Sequence, residues 1–171
     1  MIFITVGTQA PFDRLLETID KIAGIYPAKE FVAQTLMSEY KPINLKTVDF
    51  LEPKEFDTLF DSAELIVSHA GIGTIISALA KHKPLLIMPR KAEFGEHRND
   101  HQLMTATRFQ TLKYVHVAQD EQEMSAMLNK ILDTESAKVL HKMGHYASVE
   151  LINSLKQFIA NFETPRVNPN K

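Results

Sequence analysis

The chain has no cysteine among its 171 residues. That excludes a disulfide framework and thiolate chemistry, and it suits a reducing compartment. No stretch reaches the about 18 consecutive apolar residues that a membrane-crossing helix needs. The opening "MIFITVGTQAPFD" has no basic run ahead of an apolar core, so it does not read as a secretory leader. No charge sign is in excess: 19 Lys and Arg stand against 21 Asp and Glu, a formal net charge of −2. That balance gives no general attraction to nucleic acid or to an acidic membrane, and no nucleic-acid partner is expected. There is no internal repeat, low-complexity tract or domain linker.

What remains is enough chain for one domain with a real core, 44% hydrophobic and 23% charged. Its apolar patterns alternate between two kinds. "MIFITVG" is short, β-branched and apolar on both faces, as in a central parallel strand. Pro11 suits the first turn of a helix to about Gly24, with Phe12, Leu15, Leu16, Ile19 and Ile22 facing the sheet. "KEFVAQTL" and "LKTVDFL" read as strands, and "PKEFDTLFDSA" as a short helix. "ELIVSH", "KPLLIMPR" and "LKYVHVA" read as strands; "TIISALAKH", "NDHQLMTATRFQ" and "DEQEMSAMLNKILD" read as helices. A last helix is expected from Glu135 to Asn161, with Val139, Leu140, Met143, Val149, Ile152, Leu155 and Ile159 as its apolar stripe. That stripe either packs on the domain's own sheet or docks a partner, or does both. Residues 1–162 then form one domain, and 163–171 form a loose polar tail.

Strands alternating with helices imply β-α-β units: a single Rossmann-like, doubly wound parallel sheet of the α/β class. Such sheets bind ligands beyond the carboxyl ends of their strands. The turns to inspect are therefore "VGTQAP", "SHAGIGT" and "PRKAEFGEHRNDHQ".

In "SHAGIGT", Gly71 and Gly73 permit backbone angles closed to other residues and a close approach to a ligand. The next helix would point free N–H groups and its positive dipole end into the turn, where a phosphate fits and Thr74 can donate. The plain alternative is a tight strand-to-helix turn. The dinucleotide fingerprint is incomplete, because no third glycine follows at its place. "VGTQ" at Gly7 is a second such turn with the same two readings. His97 and His101 are spaced to share a helical face beside Glu96 and Asp100, which zinc could use, but no third ligand is evident and no metal is expected. His141 and His145 repeat the spacing and read as surface or interface residues. Ser68 and His69 are neighbours on a strand and should point to opposite faces, which argues against a nucleophile–base pair. His69 is either a satisfied structural histidine or a ligand contact.

Taken together, "VGTQAPFDRLL", "LIVSHAGIGTIISALAKHKPLLIMPR" and "NDHQ" resemble the family 28 C-terminal domain, the donor-binding half of a GT-B glycosyltransferase. The resemblance runs from Met1 to about Phe109. It is nearest to free-standing small subunits of bacterial exopolysaccharide and capsule glycosyltransferases. It extends to the small subunit of the two-part N-acetylglucosaminyltransferase that acts on dolichol-linked oligosaccharide. It implies an inverting hexosyl transfer from a UDP-sugar to a polyprenyl-diphosphate-linked glycan, with no cofactor. Gly7 and Thr8 would lie under the sugar-diphosphate, and Gly71, Gly73 and Thr74 would cradle it. Phe50 and Leu51 fall where relatives hold uracil, and Asn99, Asp100, His101 and Gln102 fall where they hold the sugar. Arg90 and His101 are candidate donors to the diphosphate. Relatives commonly carry a ribose-binding glutamate where this chain has Ser77. His101 stands where relatives differ, so the sugar's identity does not carry over. The resemblance further implies a membrane-anchored, acceptor-binding partner subunit that supplies the catalytic base, with this chain cytoplasmic and peripheral at the membrane's inner face. A non-catalytic nucleotide-sugar-binding regulatory subunit is the alternative.

Overall fold

A computed structural model of the protein describes residues 1–144, 152–154 and 156–157. Six parallel strands form one sheet: β1 (Ile2–Thr5), β2 (Phe31–Gln34), β3 (Lys46–Val48), β4 (Leu65–His69), β5 (Leu85–Met88) and β6 (His116–Val117), in the order β3-β2-β1-β4-β5-β6. Five helices connect or follow them: α1 (Asp13–Ile25), α2 (Pro53–Ser62), α3 (Ile72–Ala80), α4 (His101–Thr111) and α5 (Glu121–Asp133). The expected doubly wound α/β sheet is thus the observed one.

Side chains alternate across the sheet and build two cores. Ile2, Ile4, Val67 and Met88 pack on one face with Leu15, Leu16 and Ile19 of α1 and Met124 and Leu128 of α5. Phe3, Ile66 and Ile87 pack on the other with Phe60 of α2, Ile75 and Leu79 of α3, and Ala106 of α4. Being apolar on both faces is why the central strands read as near-continuous hydrophobic runs. Local signals set the helix starts. Glu52 and Glu55 form a capping box ahead of Pro53 in α2. The Asp120 carboxylate accepts the Glu123 N–H at 2.8 Å to start α5.

The segment after α5 differs from the expected helix. Residues 136–144 are not helical; helix occurs at 152–154 and 156–157. Ala137 packs against the first core and Met143 against the second, so the chain changes faces of the sheet between them. It passes the edge strand, where the His116 ring lies 3.2 Å from the Lys138 carbonyl, and the Met143 N–H reaches the Leu79 carbonyl at 3.3 Å. A helix rises only about 1.5 Å per residue against about 3.3 Å for extended chain, so crossing the edge overrides the helical spacing. His141 stacks on Tyr114, with ring centroids 3.7 Å apart. His145, the stripe residues Val149, Leu155 and Ile159, and the 163–171 tail lie outside the described residues.

Candidate functional site

The order of the strands reverses direction at β1, whose neighbours are β2 and β4, and β1 and β4 each end in a glycine turn. Between them, at the carboxyl ends, opens a cleft of about 540 Å³. Gly7, Thr8 and Gln9 form one wall, Gly71, Gly73, Thr74 and Ser77 a second, and Arg90, His97, His101, Gln102 and Thr105 a third. No described residue lining it is Asp or Glu. A smaller hollow of about 380 Å³ lies at the amino ends of the strands and has mixed charge, with Lys29, Glu30, Glu64 and Glu135 on its wall.

The α3 end of the cleft is built for an anion. Gly71 is the N-cap, so α3 starts two residues before the expected Thr74. No side chain caps it and no acidic residue occupies its first turn. The leading N–H groups, at Ile72, Gly73 and Thr74, therefore have no intrahelical partner and carry the positive end of the dipole. At this turn Gly71 is needed for space rather than for an unusual angle. Gly71 has an ordinary φ of −81°, but a Cβ there would come 2.2 Å from Nε2 of His69. Gly73 lies inside the helix, with nothing within 4 Å of where a Cβ would be. Gly7 does take a left-handed φ of +80°, and a Cβ there would come 2.7 Å from Cε1 of His69.

His69 is thus a wedge between the two turns. Burial, then the neighbouring Arg90 charge, push its pKa from 6.5 down to about 4; a bond to the Thr5 main chain opposes this, and His97 adds slightly to it. The ring is neutral at pH 7. The expectation that Ser68 and His69 diverge is corrected: Ser68 Oγ lies 3.2 Å from His69 Nδ1. His69 is the last strand residue, where the chain leaves the pleat for the Gly71 cap and strict alternation ends. Ser68 is fully buried and absent from the cleft wall, so the pair is no exposed nucleophile and base.

Arg90 is 1% exposed. Its guanidinium donates to the carbonyls of Val6 at 2.8 Å and Pro11 at 3.4 Å, and to that of Ala10, and it stands 5.2 Å over the Phe12 ring. Burial pushes its pKa down to about 10, with Glu96 acting the other way. Its Nε is buried without a partner. Gln102 Oε1 accepts the Arg90 N–H at 3.1 Å.

Of the segment before α4, His97, His101 and Gln102 line the cleft, while Asn99 and Asp100 hold the loop. Asn99 Oδ1 lies 3.1 Å from His97 Nδ1 and accepts the His101 N–H at 3.3 Å; Asp100 Oδ1 accepts the Ala92 N–H at 2.9 Å. His97 precedes α4, so the two histidines share a cleft wall and not a helical face. Among the described residues no group of three His, Asp or Glu is placed to hold a metal ion. Phe50 is exposed, Leu51 is buried in the second core, and neither lines the cleft; Phe56 of α2 does.

Thr5 and Gln34 form the cleft floor and were not singled out from sequence. Thr5 Oγ1 accepts the Gly7 N–H at 3.3 Å and donates to Gln34 Oε1 at 3.0 Å. The available signal was a polar residue ending each of two apolar strands, "IFIT" and "FVAQ".

Known proteins resemble this arrangement. The chain is 32% identical over 107 residues to a UDP-N-acetylglucosamine–N-acetylmuramyl-(pentapeptide) pyrophosphoryl-undecaprenol N-acetylglucosamine transferase of Clostridium botulinum, a match covering 58% of this chain and 28% of that protein. This chain therefore matches little more than a quarter of that relative. The solution structure of ALG13 superposes with a TM-score of 0.56 at 20% identity, covering 90% of this chain and 93% of that one. MurG of Acinetobacter baumannii superposes with a TM-score of 0.60 at 15% identity, covering 94% of this chain and 49% of that one. At those identities the two structures establish the fold. Residues 1–160 match the glycosyltransferase family 28 C-terminal domain as a whole, and the chain belongs to that family.

Proposed function

We propose that this chain is the donor-binding subunit of a two-component inverting glycosyltransferase that moves a hexose from a UDP-sugar to a lipid-linked glycan. The observation that carries this is the cleft itself: an uncapped helix N-terminus and a second glycine turn face a wall of Arg90, His97, His101, Gln102 and Thr105, with no carboxylate lining it among the described residues. Such a surface favours a diphosphate. The curated relative is named for transfer from UDP-N-acetylglucosamine to a pyrophosphoryl-undecaprenol acceptor. The match spans about half of the MurG structure; in this reading a second polypeptide supplies the acceptor side and the base.

In this reading the diphosphate rests on the N–H groups of Ile72, Gly73 and Thr74, with Gly7 and Thr8 beneath it. Those dipoles stabilise the charge that grows on UDP as the anomeric carbon is displaced. Arg90 lends its charge from beneath the Gly7–Pro11 turn, with its Nη2 committed to carbonyls. His101 and Gln102 stand on the sugar side, and Ser77 occupies the ribose position without a carboxylate. Phe56 forms the cleft wall near the expected uracil position at Phe50 and Leu51. A membrane-anchored partner would close the cleft and bring a polyprenyl-diphosphate-linked acceptor.

The test is calorimetric titration with UDP and UDP-sugars, followed by transfer assays after co-expression with a membrane-anchored partner. Binding alone with transfer only in the pair supports the reading. Transfer by this chain by itself would contradict the two-component arrangement, and no binding of UDP would contradict the site. The absence of a carboxylate also suits a non-catalytic nucleotide-sugar-binding regulatory subunit, which would bind donor and gain no transfer from any partner.

A further inference from the structure

The segment that brings His97 and His101 to the cleft has little regular structure of its own: one 3₁₀ turn, Ala92–Phe94, between β5 and α4. No sheet ladder fixes its height above the cleft. A residue from the far side of the fold does. Arg14, in the first turn of α1, donates from Nε to Glu96 Oε1 at 2.6 Å and from Nη2 to Glu96 Oε2 at 2.9 Å. The same guanidinium donates to the Pro89 carbonyl at 3.0 Å and to Glu121 Oε2 of α5 at 3.1 Å. It lies 5.3 Å from the Phe12 ring centroid and 5.1 Å from that of Phe94. Glu96 Oε2 also accepts the Lys91 N–H at 2.9 Å, so the start of the loop and Arg14 meet on one carboxylate.

The side chains of Arg14 and Glu96 are 13% and 11% exposed, so this is a mostly desolvated, two-pronged pair and not a solvated surface contact. The fork matters. A lysine has no planar pair of donors to match both carboxylate oxygens while also holding Pro89 and Glu121. Neither Arg14 nor Glu96 lines the cleft, so neither touches a ligand there.

We propose that Arg14 is a positioning residue that, through Glu96, sets where His97 and His101 stand on the cleft wall and so governs recognition of the donor's sugar. This rests on the donor-binding reading for its functional half, and on geometry alone for its structural half. The two halves are tested separately on the full chain. Hydrogen exchange of amides 91–101 is compared in wild type, Arg14→Gln, Glu96→Gln and the double variant. Exchange in that segment is expected to rise on the order of tenfold in each single variant, with the β1 and β4 amides unchanged. Because the shared pair is broken in every case, the double variant should fall well short of the sum of the singles. Unchanged exchange at 91–101, or additive effects, would overturn the pin. Binding is then measured with UDP and with UDP-N-acetylglucosamine. The variants are expected to keep UDP affinity within about twofold while losing the extra affinity contributed by the sugar. An equal fall for both ligands would show general damage and overturn the positioning role. A wild type that binds neither ligand would sink the donor-binding reading and the sugar-recognition half with it, while the exchange result still decides the pin.

Discussion

The ring of His69 occupies the space that a side chain on Gly71 would need, since a Cβ there comes 2.2 Å from Nε2. No real contact is that short, and the ring is hemmed in on its other side by Gly7, so it has little room to withdraw. Gly71→Ala is expected to destabilise the fold by about 1–3 kcal/mol through overpacking. Adding His69→Ala should recover part of that loss, because the clash partner is gone. Urea unfolding of the two single variants and the double variant checks this. Simple additivity of the two losses would show that the contact does not set the requirement for glycine.

Gly73 separates stability from ligand binding. It lies inside α3 with open space where a Cβ would go, and it lines the cleft. Glycine in a helix costs up to about 1 kcal/mol relative to alanine. Gly73→Ala should therefore raise the unfolding midpoint slightly. If a diphosphate seats against those N–H groups, the added methyl should also weaken UDP binding by roughly tenfold. A variant that is more stable and binds UDP as well as wild type would place the nucleotide elsewhere.

His69 predicts an acid-sensitive fold. Its folded-state pKa of about 4 lies below the 6.5 of the exposed group, so the unfolded chain takes up a proton first. Between those values the unfolded state binds more protons and stability falls as pH drops. The loss begins below about pH 6.5, reaches at most about 3 kcal/mol, and levels off below about pH 4. Unfolding midpoints from pH 7 to 4.5 should drop more steeply in wild type than in His69→Asn, whose side chain does not titrate. Parallel slopes would mean that His69 is not the buried group responsible.

The sheet and its helices were legible because buried parallel strands are apolar on both faces, as in "IFIT" and "LLIM". The two glycine turns were legible from their places after apolar strands, and both line the cleft. Three features were hidden for physical reasons. Strand alternation misplaced Ser68 and His69, because a strand's last residue already belongs to the turn. The apolar spacing after Glu135 reads as a helix, yet residues 136–144 must cross a sheet edge, and that is a tertiary demand. The pairing of Arg14 with Glu96 joins positions 82 residues apart, which no local pattern announces.

Arg90 has a structural task that its sequence position does not announce. The family resemblance offers it as a donor to a diphosphate, and its Nη2 is bonded to the carbonyls of Val6, Ala10 and Pro11, on either side of Gly7. No described carboxylate lies within ion-pair reach of it, so carbonyl dipoles and the Phe12 face hold the charge. Truncation by Arg90→Met leaves those carbonyls unpaired and removes the strap between β5 and the Gly7 turn. The expected cost is about 2–4 kcal/mol, a fall in melting temperature of roughly 5–10 °C. Arg90→Lys keeps the charge but not the fork, and should recover less than half of that loss. In both variants UDP affinity should fall at least about tenfold, because Gly7 and Thr8 lose the support that holds them against the diphosphate. Calorimetry at a temperature where each variant is fully folded separates the two effects. If the folded variants bind UDP as wild type does, Arg90 braces the fold and has no part in the site.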